Sequence, residues 1–236
     1  LNAAKRKGVS QETLLRAGLV IRREGGGCYD RFRNRLMFPI IDVRDRVIGF
    51  GARCLDGSDE PKYLNSPETA IFQKGRAFYG LPQAQDAIRK TGRAIVVEGY
   101  TDVIMAHQQG QDNAIAVLGT ALTRDHVRLL QRQAREALLL FDADEAGQKS
   151  AERSVDAFAA EGMAVRAGRL PDDMDPCDFF LENGADGMEQ IEASAEDAVG
   201  FKLRRATEAA QGRLDQVGAL DPVLTLIGNI PDAGAQ

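Results

Sequence analysis

The sequence predicts an α/β protein with a Rossmann-like, mostly parallel sheet flanked by helices. A small mixed α/β region is expected before the sheet and a helical region after it. Between residues 92 and 175, four short apolar runs alternate with helical patterns. The runs are almost continuously apolar, as in parallel strands that are buried on both faces. Strand-like runs then stop after Leu170. We therefore expect three units: residues 1–91, 92–175 and 176–236.

The first unit is expected to contain two helices and a β-hairpin: helices over 10–17 and 82–90, and strands over 35–43 and 47–55. Ser10 is suited to cap the first helix, and Gly18 follows its end. The polar residues 44–46 suit a hairpin turn. Pro39 favours an edge position or a bulge for the first strand, because proline cannot donate a hydrogen bond to a neighbour.

The second unit is expected to alternate strands with helices: strands over 94–97, 114–118, 137–141 and 163–167, and helices over 102–109, 123–135 and 146–160. In the last helix, apolar residues recur at helical spacing on one face. Residues 179–183 with Gly184 resemble a helix end. Residues 187–228 have a helix-forming composition, and breaks are expected at Gly200, Gly212 and Pro222.

Composition limits the classes of function. Hydrophobic residues make up 44% and charged residues 28% of the 236 residues, which is ordinary for a globular protein. No apolar run approaches the roughly 20 residues that span a bilayer, so no membrane partner is expected. The three cysteines are far apart and odd in number, so a disulfide framework is not expected, and a reducing cytoplasm is the expected location. They form no C-x-x-C pair, so no structural zinc site is expected. Without an initiator Met, the sequence is expected to begin inside a longer protein, with its first unit truncated at the start.

The net charge of −5 conceals a strong asymmetry. Residues 1–92 contain 17 Lys and Arg against 10 Asp and Glu, a net charge of +7. Residues 93–236 contain 13 against 25, a net charge of −12. One half could therefore attract polyanions while the other holds cations, a combination suited to nucleic acid and metal. The alternative is that the two halves differ in composition without any function.

Acidic residues follow three of the predicted strands: Glu98 directly follows the first, Asp142 and Asp144 directly follow the third, and Asp172, Asp173 and Asp175 come after the fourth. Ligands of such sheets bind beyond the carboxyl ends of the strands. Clustered carboxylates repel one another, and hard divalent cations relieve that repulsion. Two such ions about 3.5–4 Å apart could support phosphoryl transfer. Each acid alone could instead be a loop residue or a helix cap. Gly99 and Gly147 would let the backbone approach a bulky ligand.

Three stretches resemble the core motifs of the TOPRIM domain: VVEGYTDV (96–103), AVLGTALT (116–123) and LLLFDADEAGQKSA (138–151). This module occurs in bacterial primases, topoisomerases and some nucleases. Further stretches are similar to the signatures of the bacterial replicative DNA primase family: YDRFRNRLMFPI (29–40), VIGFGAR (47–53), PKYLNSPET (61–69) and IFQKGRAFYGL (71–81). The resemblance extends in order over most of residues 1–180.

The resemblance implies a role for each matching residue. Glu98 matches the catalytic glutamate, which binds metal or transfers a proton, and Asp102 supports it. Asp142 and Asp144 match the Asp-x-Asp metal ligands, and Asp175 matches the first aspartate of a downstream Asp-Pro-Asp motif. The basic residues that hold nucleotide phosphates or template are matched by Arg35, Arg53, Lys62 and Lys74. The implied cofactor is Mg²⁺ or Mn²⁺, with two or more ions.

The chain departs from the family pattern at Cys177, which stands where the second aspartate of the downstream motif is expected. Thiolate is a soft ligand and suits Mg²⁺ poorly. Either Asp178 takes over through a small loop shift, or the position is dispensable, and no role is assigned to Cys177. Tyr100 lies beside the site in sequence and could equally be a packing aromatic.

The family implies synthesis of short RNA primers from ribonucleoside triphosphates on single-stranded DNA, with an RNA–DNA hybrid as product. In the family, the replicative helicase binds through a domain outside this sequence. Two alternatives remain open: a TOPRIM nuclease that uses the same metals, and a nucleic-acid-binding module with a vestigial acidic site. The basic upstream stretches count against the nuclease.

Overall fold

A computed structural model of the chain describes residues 1–57, 61–171, 174–210 and 220–231. Two short helices, α1 (Asn2–Arg6) and α2 (Gln11–Arg16), come first. The backbone N–H of Thr13 donates to the Ser10 side chain, as expected for its N-cap, and Gly18 adopts a φ of 67° beyond the helix. A small hairpin follows, made of β1 (Val20–Arg22) and β2 (Cys28–Asp30).

A three-stranded antiparallel sheet has the order β3-β4-β5. Its strands are β3 (Arg35–Ile41), β4 (Val47–Cys54) and β5 (Tyr63–Asn65). Pro39 lies in the edge strand, which has an irregular register at Ile40 and Ile41, so the expected hairpin and the position of Pro39 are confirmed. A 3₁₀ turn over Lys74–Arg76 and helix α3 (Leu81–Thr91) then lead to the second sheet.

The second sheet has the order β10-β9-β8-β6-β7. Its four parallel strands are β6 (Arg93–Val97), β7 (Ala114–Ala116), β8 (Glu136–Leu139) and β9 (Ala164–Ala167). The connecting helices are α4 (Tyr100–Gln108), α5 (Arg124–Gln131) and α6 (Glu145–Ala160). This sheet confirms the predicted fold class. Helix α5 ends four residues before the predicted end of its helix.

Helices cover both faces of the parallel sheet, so its strands are apolar throughout. In β6, Ala94 and Val96 belong to the core under α3, α5 and α6, whereas Ile95 and Val97 belong to the core on the opposite face. A third cluster, formed by Phe38, Ile40, Phe72, Tyr100 and Leu118, joins the antiparallel sheet to the parallel one.

The last part of the described chain is mainly helical: α7 (Pro176–Ser194), α8 (Ala198–Ala210) and α9 (Asp221–Asn229). The expectation that strands stop after Leu170 is wrong in one detail, because β10 (Glu196–Asp197) pairs with β9. Gly184 has a non-helical backbone (φ 58°, ψ −150°), so the helical stretch over 179–183 ends there as expected and a second one follows across the kink within α7. Gly200, where a break was expected, lies inside α8. Gly212 is outside the described residues. None of the described helices is long and apolar enough to cross a bilayer.

Candidate metal centre

The carboxyl ends of the neighbouring strands β6, β8 and β9 gather the predicted acids. A pocket of about 370 Å³ is lined by four of them: Glu98, Asp102, Asp142 and Asp175. Asp144 lies at the start of α6, two residues beyond Asp142. The sequence therefore predicted correctly that these acids share one edge of the sheet, because parallel strands bring their carboxyl ends together. Asp172 and Asp173 lie outside the described residues.

Three of these acids also cap helices. Asp144 Oδ1 accepts a hydrogen bond from the backbone N of Gly147 at 2.7 Å. Asp175 Oδ1 accepts one from the backbone N of Asp178 at 2.8 Å. Asp102, inside α4, accepts one from the backbone N of Gly99 at 2.8 Å. Since a carboxylate has two oxygens and several lone pairs, capping orients each group without exhausting its capacity to bind a cation.

Burial and mutual repulsion raise the pKa of three carboxyl groups in the pocket. Burial, and next the charge of Asp142, raise the pKa of Glu98 to about 7, while the backbone N–H of Asp142 acts in the opposite direction. Burial, together with the charges of Asp142 and Asp175, raises the pKa of Asp102 to about 6. Burial and then Asp175 and Asp144 raise the pKa of Asp142. These three carboxylates are thus harder to ionise where they are buried beside other acids, and a bound cation would favour their ionised form.

A buried oxygen of Glu98 indicates whether these residues could hold a metal ion. Among the described residues, Glu98 Oε1 is one of three buried side-chain N or O atoms that lack a hydrogen-bond partner. An ionised carboxylate oxygen that is buried without a donor is costly unless a cation or a proton neutralises it. Its position in a pocket of other carboxylates fits an oxygen-ligated divalent cation. The acidic group therefore indicates the use of a divalent metal.

Cys177 lies beside two of the acids that line the pocket, Asp102 and Asp175. One ligand atom each from Asp102, Asp175 and Cys177 lie within 4.8 Å of one another. Burial, and then the charges of Asp102 and Asp175, raise the pKa of the Cys177 thiol. Asp178 is exposed on α7, and its backbone N is the one that Asp175 caps. Of the two sequence alternatives, a shift of Asp178 into the pocket is not seen in this structure.

The predicted basic residues are spread over the antiparallel sheet and the turn after it. Lys62 lines the pocket, and the Arg53 guanidinium lies 5.7 Å from the centre of the Tyr63 ring. Arg35 donates to the Pro61 carbonyl at 2.7 Å and so supports the segment that carries Lys62. Lys74 begins the 3₁₀ turn and is not among the residues that line the pocket.

Three further pocket residues were not singled out from the sequence as ligands: Tyr63, Asn65 and Tyr100. The Tyr100 hydroxyl donates to Asn65 Oδ1 at 2.6 Å, and Asn65 Nδ2 donates to the Leu118 carbonyl at 2.9 Å. Tyr100 also stacks on Phe38, with ring centres 5.0 Å apart. Tyr100 is therefore both a residue of the pocket and a packing aromatic. It stacks on one strand of the antiparallel sheet and hydrogen-bonds to Asn65 of another.

The glycines next to the acids make close contacts within the chain that the sequence did not predict. A Cβ on Gly147 would lie 2.3 Å from the Asp142 carbonyl oxygen. A Cβ on Gly99 would lie 3.1 Å from Asp102 Oδ2. The close approach at these positions is therefore between parts of the chain itself, and it lets the helix starts pack against the acidic segments.

Two protein-family models match the chain. The model for the N-terminal domain of the DNA primase catalytic core matches residues 1–85, and a Toprim-like model matches residues 95–180. Among curated proteins, the chain is 45% identical to the DNA primase of Deinococcus radiodurans over 210 residues, which is 88% of this chain and 37% of the relative. It is 45% identical to the Escherichia coli DNA primase over 204 residues, which is 84% and 34% of the two chains.

Solved structures agree with these matches. A DNA primase domain from Pseudomonas aeruginosa superimposes with a TM-score of 0.87 at 37% identity, covering 94% of this chain and 71% of that one. A DnaG primase catalytic domain bound to single-stranded DNA superimposes with a TM-score of 0.86 at 38% identity, covering 99% and 77%. The chain spans about a third of the length of the curated relatives it matches.

Proposed function

Because the chain belongs to the family of bacterial DNA primases with a Toprim-type region, we propose that it joins ribonucleoside triphosphates into short RNA primers on single-stranded DNA. The main support is the pocket itself, which is lined both by carboxylates from the parallel-sheet region and by the cation Lys62. A metal-bound triphosphate needs both kinds of group, since carboxylates hold the ions and cations hold the phosphates. The product would be an RNA–DNA hybrid.

The metal would be held mainly by Glu98, Asp142 and Asp144, with Asp175 as a further ligand and Asp102 in support. All five offer hard oxygen ligands, which suit Mg²⁺ or Mn²⁺, and the number of carboxylates would allow two ions or more. Bound divalent ions supply positive charge against the reacting phosphate and make a hydroxyl a better nucleophile. Transfer of a proton is the alternative role of Glu98, and burial raises its pKa to about 7 when no metal is bound.

The basic residues would bind phosphates of the nucleotide and of the template. Lys62 and Arg53 flank the ring of Tyr63, at 5.8 and 5.7 Å from its centre. Tyr63 is 37% exposed, so it offers a base an aromatic face between two cations, an arrangement typical of single-strand binding. Arg35 would act by holding the Lys62 segment. Lys74 lies on the turn after the sheet and would contact the template farther from the pocket.

The direct test is ribonucleotide incorporation on a single-stranded DNA template with Mg²⁺ or Mn²⁺. We expect Glu98→Gln and Asp142→Asn to lower the rate by at least about 100-fold, since even residues that only support metal ligands cost 10- to 100-fold when lost. Asp112→Asn is the matched control: it makes the same change on an exposed residue before β7, at the opposite end of the sheet. Full activity in Glu98→Gln and Asp142→Asn would overturn the assignment.

Two further measurements distinguish the alternative functions, a nuclease and a binding module. Cutting of labelled single-stranded DNA without triphosphates would indicate a nuclease. DNA binding without measurable uptake of Mn²⁺, read by calorimetry, would indicate a binding module. Weaker DNA binding at higher salt is expected in each case, because the cations contact phosphates, so salt dependence does not discriminate.

A further inference from the structure

The Cys177 thiol lies beside Asp102 and Asp175, two acids of the pocket, and has no part in the proposed function. It is in the first turn of α7, directly after the capping residue Asp175 and Pro176. The other two cysteines lie elsewhere. Cys28 is in β2, where its sulfur accepts a hydrogen bond from Gln11, and Cys54 is buried at the end of β4.

The geometry around Cys177 suits a single ion. Its sulfur and one carboxylate oxygen each from Asp102 and Asp175 lie within 4.8 Å of one another. Ligand atoms about 2.0–2.3 Å from one tetrahedral ion are roughly 3–4 Å apart, so small side-chain rotations would close the set. Asp102 is buried, Cys177 is partly buried and Asp175 is exposed. The set of three ligands therefore extends from a buried aspartate, Asp102, to a solvent-exposed one, Asp175.

The chemistry of the three ligands differs from that of the rest of the pocket. Glu98, Asp142 and Asp144 offer only hard oxygens, whereas Cys177 adds a soft sulfur. Sulfur ligands select Zn²⁺ and similar ions over Mg²⁺. The absence of C-x-x-C pairs argues only against a structural zinc site made of cysteines, and a set of three protein ligands with an open position is a different class of site.

We propose that Asp102, Asp175 and Cys177 form a binding site for a thiophilic divalent cation such as Zn²⁺, Co²⁺ or Cd²⁺. On binding, the thiol proton passes to solvent and a sulfur–metal bond forms, with no change of oxidation state. Because Asp175 also belongs to the proposed Mg²⁺ set, an ion bound here changes the cation preference of the whole pocket. The inference rests on the proposed function only in treating the pocket as a divalent-cation site.

The test is titration of the metal-free protein with Co²⁺, without nucleotide or DNA. Sulfur bound to Co²⁺ gives a charge-transfer band in the near ultraviolet, which oxygen ligands do not give. We expect this band to saturate at one equivalent in the parent protein. It should be absent in Cys177→Ser and in Cys177→Asp, and retained in the matched control Cys28→Ser. Circular dichroism of each variant would check that it is folded.

Two aspartate variants distinguish a three-ligand site from a reactive thiol alone. Asp102→Asn and Asp175→Asn keep the shape of the carboxylate and lose its charge, so we expect them to weaken Co²⁺ binding by about 10- to 100-fold. Zn²⁺ should displace Co²⁺ and abolish the band, whereas Mg²⁺ at the same concentration should not. The Asp175→Asn variant keeps its cap on α7, because asparagine and aspartate are equivalent at the N-cap.

Three results would overturn the inference: no band in the parent protein, a band that persists without Cys177, or unchanged Co²⁺ affinity in both aspartate variants. Failure of the proposed function is recognised separately. If the protein makes no primers with Mg²⁺, the cobalt spectrum should still be seen. If the cobalt band is absent, primer synthesis with Mg²⁺ should be unaffected.

Discussion

Replacing Gly147 with alanine tests how tightly α6 is packed against the acidic segment. Gly147 is in the first turn of α6, and its backbone N donates to the Asp144 cap. An added Cβ would lie 2.3 Å from the carbonyl oxygen of Asp142 and 2.9 Å from its carbonyl carbon. Both contacts are to backbone, so no side-chain rotation relieves them.

The size of the effect follows from these distances. Carbon and oxygen in contact are normally about 3.3 Å or more apart, so α6 and the Asp142 segment must separate by roughly 1 Å. Overpacking of this kind costs about 1–3 kcal/mol, whereas alanine in place of glycine usually stabilises a helix by up to about 1 kcal/mol. We expect a net loss of about 1–2 kcal/mol. A 1 Å displacement within a reaction centre can lower the rate on the order of 100-fold.

Urea unfolding gives the stability, calorimetry with Mn²⁺ gives the metal affinity, and primer synthesis gives the rate. Gly228→Ala is the matched control, because Gly228 is also helical and no atom of the described residues lies within 4 Å of an added Cβ. It should be neutral or stabilising by up to about 1 kcal/mol. A Gly147→Ala protein as stable as the parent, with unchanged Mn²⁺ affinity, would refute the reasoning.

Three further predictions concern single side chains. Tyr100→Phe removes the hydrogen bond to Asn65 and keeps the stacked ring, so urea unfolding should show a loss of about 1–2 kcal/mol. Asp144→Asn should keep the α6 cap and the stability but weaken Mn²⁺ binding, whereas Asp144→Ala should lose about 1 kcal/mol as well. Burial and the charge of Asp142 raise the pKa of Glu98 from 4.5 to about 7. The folded, metal-free protein therefore binds the Glu98 proton more tightly than the unfolded chain, and the stability gained in this way is fully present below pH 4.5. That contribution should then be lost as the pH rises through about 7, by on the order of 1–3 kcal/mol.

Each of these has a result that would contradict it. Unchanged stability in Tyr100→Phe would mean that water replaces the lost hydroxyl contact. Equal stability of the asparagine and alanine variants of Asp144 would mean that the cap contributes nothing. For the pH effect, the stabilities measured with EDTA at about pH 5 and about pH 8, on either side of the raised pKa, should differ less in Glu98→Gln than in the parent protein. An identical difference in the two proteins would exclude Glu98 as its source.

Patterns that depend on neighbours in sequence were predictable, and contacts between distant segments were not. The continuous apolar runs at 94–97 and 137–141 were enough to predict parallel strands, because burial on both faces leaves little choice of residue. The short strands β1, β2, β5 and β10 have only two or three residues. Such runs have no measurable periodicity, so they were missed.

The site shows the same division. The positions of Glu98 and Asp142 were predictable because these acids directly follow predicted strands, and the carboxyl ends of parallel strands meet at one edge of the sheet. The bond between Tyr100 and Asn65 spans 35 residues and joins the two sheets, so no local pattern indicates it. The reason for Gly147 was also hidden, because it depends on the fold of the Asp142 segment against the start of α6.

Helix capping explains how an acidic pocket can form before its cation binds. Asp144 and Asp175 are each held by a backbone N–H at the start of their own helix, α6 or α7, and Asp102 is held in the same way by Gly99. Helix starts carry partial positive charge and stabilise carboxylates. The caps therefore offset part of the repulsion among these acids and fix their direction. Glu98 caps no helix, and burial, followed by the charge of Asp142, raises its pKa to about 7 although the backbone N–H of Asp142 opposes this. Its Oε1 is buried without a hydrogen-bond partner among the described residues. A divalent cation would consequently meet a preformed set of ligands, and its largest effect on stability should be felt at Glu98.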